Sequence, residues 1–192
     1  MNNKQMNIIL PSINLKTSSV RKIHPSPEYA LHFSGCSKGN PGPSGIGVVI
    51  FKNGIEHWVA GEYIGDKRTK IETEYCALIH GLQLAKDLSI KRLSVCGDSL
   101  LVVNQINKIY KVKNPKLADL YDKTIKLKTH FDYIDFNHVY RKDNKLADEL
   151  SKLGSLCNDD VEAKTTICDI KEDIEDCEEK IDFKKIFTRH TL

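Results

Sequence analysis

Residues 29–51 read Tyr29-Ala30-Leu31-His32-Phe33-Ser34-Gly35-Cys36-Ser37-Lys38-Gly39-Asn40-Pro41-Gly42-Pro43-Ser44-Gly45-Ile46-Gly47-Val48-Val49-Ile50-Phe51, and their pattern sets the fold class. Alternation puts Tyr29, Leu31 and Phe33 on one face of a strand and Ala30, His32 and Ser34 on the other. Gly and Pro punctuate 35–45, which predicts a loop. Ile46 to Phe51 then reads as a second strand, Lys52-Asn53-Gly54 as a hairpin turn, and His57 to Ile64 as a third strand. Strands joined this tightly are antiparallel neighbours.

Further along, the period becomes helical. Ala77, Leu78, Gly81, Leu82 and Ala85 form one apolar stripe of a helix over about 71–88, with Glu74 near its N-terminal end. Lys91 to Gly97 predicts a short strand with Leu93 and Val95 inward. Asp98-Ser99 opens a second helix carrying Leu101, Val102 and Ile106, with Asp98 as its cap. A third helix follows Asn114-Pro115, a fifth strand spans 133–139, and Leu146, Ala147, Leu150 and Leu153 mark a closing helix. The order β-β-β-α-β-α-α-β-α predicts an α/β fold. Its five-stranded mixed sheet has the first three strands antiparallel and helices packed on it.

The 192 residues are 40% apolar and 29% charged, which excludes a collagen-like or wholly disordered chain. No apolar run approaches the roughly 18 residues that cross a bilayer, so no membrane partner is expected. The net charge of +3 is unevenly spread. Residues 1–27 carry four bases and no acid, and read as a flexible basic arm or an organelle transit peptide. The body, 28–155, is mildly basic, which permits a nucleic-acid partner. Residues 156–192 hold six bases and eleven acids, an acidic C-terminal extension. There Ile167, Ile170, Ile174, Cys177 and Ile181 repeat at spacings of three and four, predicting an amphipathic helix. The segment 161–187 would pack on the body, serve a protein partner or self-association, or stay disordered. Six cysteines without a CxxC pair argue against structural zinc and against a disulfide scaffold. They suit free thiols in an intracellular protein of cytoplasm or nucleus, with an organelle as the alternative.

Acids fall where strand ends converge. Asp98 ends the fourth strand, Glu74 faces the sheet from the first helix, and Asp148 lies on the last helix; His138 ends the last strand. Three such carboxylates can hold a hard cation such as Mg2+. Singly, each reads first as a surface charge or cap. Together with the loop 34–43 and the segments Glu74-Tyr75-Cys76-Ala77-Leu78, Gly97-Asp98-Ser99, 138–144 and Ala147-Asp148-Glu149-Leu150, they make the body resemble ribonuclease H type 1. That family cuts the RNA strand of RNA–DNA hybrids.

The resemblance, over roughly 28–155, implies an RNase H-like fold and a site with two Mg2+ ions (Mn2+ as the alternative) about 3.5–4 Å apart. It implies Glu74, Asp98 and Asp148 as metal ligands, with His138 completing the catalytic set by assisting proton transfer or product release. Gly35, Lys38, Asn40, Thr69, Lys70, Arg141 and Asn144 would meet an RNA–DNA hybrid or other duplex nucleic acid.

Two departures stand out. The family's first-strand aspartate, which contacts both ions, falls on Ser34, and a hydroxyl adds no charge. The family's Thr-Asn-Asn run before the helix glutamate is Thr69-Lys70-Ile71, which loses both amides. In addition, 109–114 connects two helices directly where some members carry a basic protrusion. Three functions are therefore open. The chain is a nucleic-acid-binding member with impaired or lost hydrolysis, an active Mg2+-dependent endoribonuclease, or a protein-interaction module on an inactive fold.

Overall fold

The first three strands form a meander: β1 (Tyr29–Ser37), β2 (Gly42–Lys52) and β3 (Ile55–Arg68). Then come α1 (Lys70–Asp87), β4 (Arg92–Gly97), α2 (Leu100–Ile106), α3 (Pro115–Lys128) and β5 (Tyr133–His138). A 3-10 turn at Arg141–Asp143 leads into α4 (Lys145–Gly154). This computed structural model describes residues 26–157. Most of the basic arm and the helix expected within 161–187 lie outside the described residues. No described helix is long and apolar enough to cross a membrane.

The sheet order is β3-β2-β1-β4-β5. β1 and β3 both run antiparallel to β2, while β4 runs parallel to β1 and to β5. The expected mixed sheet is present. Its centre is the β1–β4 pair, where Phe33 lies opposite Gly97.

Each helix boundary has a local cause. Thr69 caps α1: its hydroxyl oxygen accepts from the Glu72 N–H while the Glu72 carboxylate accepts from the Thr69 N–H, closing a capping box. Asn114 caps α3 ahead of Pro115, whose missing N–H costs nothing at a first helical position. The stripe Ala77, Leu78, Gly81, Leu82 and Ala85 is buried against the sheet.

Two expectations need correction. The stretch 35–45 is not all loop, since β1 continues to Ser37 and β2 begins at Gly42, with Cys36 paired to Gly45 and Ser37 to Ser44. Gly35 and Gly45 lie in strands that helices approach closely. A Cβ on Gly35 would stand 2.4 Å from the Glu74 backbone nitrogen, and one on Gly45 2.1 Å from that of Ser155. Asp98 does not cap α2 either. Ser99 holds the N-cap position without a side-chain bond, because the Asp98 carboxylate turns towards Asn144 and Arg141.

Candidate functional site

The C-terminal ends of β1, β4 and β5 share one edge of the sheet because the three strands run parallel. Crevices outside such ends are where open α/β sheets bind ligands. Ser34 lies one residue past the Phe33–Gly97 pair, Asp98 follows β4, and His138 closes β5. Helix α1 brings Glu74 to this edge from one face, and α4 brings Asp148 from the other.

Glu74 is 1% exposed. Its Oε2 accepts from the Gly35 N–H at 3.0 Å, a contact that requires the bare Cα of Gly35. Burial, and then the negative charge of Asp98, push the Glu74 carboxyl up to about 8. At neutral pH it holds a proton.

Asn144 organises the opposite side. Its Nδ2 donates to the Phe33 carbonyl at 2.9 Å and to Asp98 Oδ1 at 3.1 Å. Its Oδ1 accepts from His32 Nδ1, 3.2 Å away, which fixes the imidazole with its proton on Nδ1. Burial pulls the His32 pKa down, against the Asn144 bond that favours the charged ring. The sequence places Asn144 among residues facing nucleic acid. Instead it is 2% exposed, because both its amide hydrogens are spent inside the protein.

Arg141 lies between the two aspartates. Its Nε is 3.3 Å from Asp98 Oδ2 and 3.5 Å from Asp148 Oδ1. The negative charge of Asp148, and then the bond to Asp98, raise the Arg141 pKa. Lys152, one turn along α4, adds a second cation 2.6 Å from Asp148 Oδ2. Both aspartates are thus nearly buried and compensated from within the chain. Ser34 is 1% exposed, its hydroxyl 3.5 Å from that of Ser151.

The remaining candidates divide by position. Lys38, Lys70 and His138 are exposed. Asn40 Oδ1 accepts from the Lys70 N–H at 2.7 Å, tying the β1–β2 turn to the start of α1. Thr69 is engaged in its capping box and Gly35 beneath α1. His138 makes an edge-on ring contact with Tyr140. Lys152, Ser151 and the His32–Asn144 pair escaped sequence reasoning. Of these only the Asp148–Lys152 spacing of four carries a sequence signal.

The donor set does not fit a two-magnesium centre. Among the described residues no group of three or more His, Cys, Asp or Glu is arranged to hold a metal ion. Ser34 is neutral, and a guanidinium stands between Asp98 and Asp148.

The model of the Reverse transcriptase-like family matches residues 32–154. The chain belongs to the ribonuclease H-like family. Its ribonuclease H-like region is 35% identical over 121 residues to Ribonuclease HI of Halobacterium salinarum, covering 62% of this chain and 60% of that relative. The chain thus spans less than two thirds of that relative's length. The crystal structure of RNase H1 from the same organism superposes with a TM-score of 0.64 at 33% identity, covering 66% of this chain and 96% of that one. LC11-RNase H1, isolated from compost by a metagenomic approach, has been solved in complex with RNA/DNA hybrid. In that complex it matches with a TM-score of 0.61 at 35% identity, covering 65% of this chain and 94% of that one.

Proposed function

We propose that this ribonuclease H-like domain binds RNA–DNA hybrid or a related duplex and hydrolyses it weakly or not at all. The carrying observation is Ser34, a buried, uncharged residue at the position where the resemblance to ribonuclease H type 1 expects a carboxylate shared by two ions. The Arg141 bridge supports the same reading, since Asp98 and Asp148 already have a cation between them. Binding has its own support. LC11-RNase H1 holds RNA/DNA hybrid, and Lys38, Lys70, Arg141 and Lys142 are exposed. Arg141 exchanges a carboxylate for a phosphate when the backbone of a duplex arrives. Mg2+ or Mn2+ would bind weakly, and the domain would work inside the cell.

The test is cleavage of a labelled RNA–DNA hybrid in Mg2+ or Mn2+. Loss of about 4 kcal/mol of metal stabilisation lowers the rate on the order of a thousandfold. Wild type should therefore cut far more slowly than Ser34→Asp, whose gain should vanish when Asp98→Asn is added. Robust wild-type cleavage abolished by Asp98→Asn would instead establish an active endoribonuclease. That second reading is favoured by the arrival of Glu74, Asp98 and Asp148 at one sheet edge. Hybrid binding should weaken steeply with salt, because phosphate contacts release counterions.

A further inference from the structure

Tyr140 is an aromatic ring left in the open beside the site. It is 72% exposed, whereas Tyr75 is fully buried with its hydroxyl donating to Gln105. Exposed apolar side chains are common and by themselves mean little. Ile55, 74% exposed, is an example next to a hairpin turn.

Three features separate Tyr140 from such residues. Its backbone is held on both sides: the Val139 N–H donates to the Gly97 carbonyl at 3.0 Å, and the Tyr140 carbonyl accepts from the Asp143 N–H at 2.8 Å. The chain between β5 and the 3-10 turn is extended, with Tyr140 at φ −71 and ψ 151. The rings of His138 and Tyr140 meet there, 5.9 Å apart and inclined at 75°. Next in sequence come Arg141, which reaches Asp98, and Lys142, also exposed. A pre-positioned ring flanked by cations at the edge of a nucleic-acid site matches what binds unpaired bases. Bases stack on aromatic faces while cations follow the phosphates.

The geometry points to Tyr140, braced by His138, as a stacking platform for an unpaired nucleobase at the end of a bound duplex. This rests on the nucleic-acid reading above and adds a ligand class to it. Inside a duplex both faces of every base are covered by neighbours, so the ring gains nothing there. It gains where a strand continues beyond its partner. The platform therefore favours a hybrid with a single-stranded extension over a blunt one.

The experiment uses the full chain and two fluorescein-labelled RNA–DNA hybrids with the same paired segment, one blunt and one with a short single-stranded RNA overhang. Affinity is read by fluorescence anisotropy at fixed salt for wild type, Tyr140→Phe and Tyr140→Leu. Wild type and Tyr140→Phe, which keeps the ring, should bind the overhang about tenfold more tightly than the blunt hybrid. Tyr140→Leu should lose that preference while binding the blunt hybrid as wild type does. The platform is overturned if wild type shows no preference, or if Tyr140→Leu keeps it, with blunt binding intact in either case. If wild type binds neither hybrid, the nucleic-acid reading falls and takes the platform with it.

Discussion

The two faces of the sheet are built on different principles. On one, α1, α2 and α3 cover a large apolar cluster that includes Leu31, Phe33, Tyr75, Leu78, Leu82 and Ile106. Side chains fill the gap, and contact comes from volume. On the other face the buried cluster among the described residues is Val49, Ala147 and Leu150. There α4 lies almost directly on the strands. A Cβ on Gly47 would stand 2.0 Å from the Ala147 carbonyl oxygen, and one on Gly61 2.8 Å from that of Leu150. The acids differ in the same way. On the thick apolar side burial pushes the Glu74 carboxyl up; Asp148, on the thin side, lies between Arg141 and Lys152. The functional edge is where these two kinds of packing meet, at the end of β1.

Four substitutions probe that contrast. Gly47→Ala should be the most damaging, at about 3 kcal/mol or more by urea denaturation, because every neighbour of the new methyl group is backbone and α4 must move. Next comes Glu74→Gln, read against pH. The folded protein retains the Glu74 proton up to about 8, whereas an unfolded chain releases it near 4.5, so wild-type stability should fall as pH rises through that window. The glutamine variant should lack this decline, so its advantage over wild type should grow towards the upper end of the window. An identical pH profile in both proteins would mean that Glu74 is not buried as a neutral acid.

Gly81→Ala examines the thick face. Its Cβ would meet only side-chain atoms of Leu31 and Val48, which can shift, and alanine favours helix, so the net cost should stay below about 1 kcal/mol. Were it as costly as Gly47→Ala, the distinction between the faces would fail. Arg141→Gln should change stability least, within about 0.5 kcal/mol, since its side chain is 58% exposed. Its larger effect should be a shallower salt dependence of hybrid binding.

The sheet was legible because alternation and helical stripes repeat many times: Leu31 and Phe33, Leu93 and Val95, and the stripe from Ala77 to Ala85 all lie in the core. Glycine was the weak point. Gly35 and Gly45 look like turn residues in a sequence, yet here they make room for α1 and α4, and composition cannot separate the two uses. Site residues were legible by type but less so by partner. Glu74, Asp98 and Asp148 do reach one edge, but a sequence does not show that Arg141 spans two of them. It also does not show that Asn144 turns inward. Apart from Arg141–Asp148, those contacts join positions 43 to 112 residues apart, beyond any local pattern.

The single amide of Asn144 has a consequence for the order of events as the chain is made. It fastens the Phe33 carbonyl, and with it the middle of the earliest strand, to a segment that leaves the ribosome more than a hundred residues later. Until then the hairpins of β1, β2 and β3 wait with one side uncovered and Val49 in water. Contacts of such sequence separation are slow to close. The last helix thus acts as a clasp, and a nascent chain halted before it would display a half-dressed sheet to whatever chaperones are near.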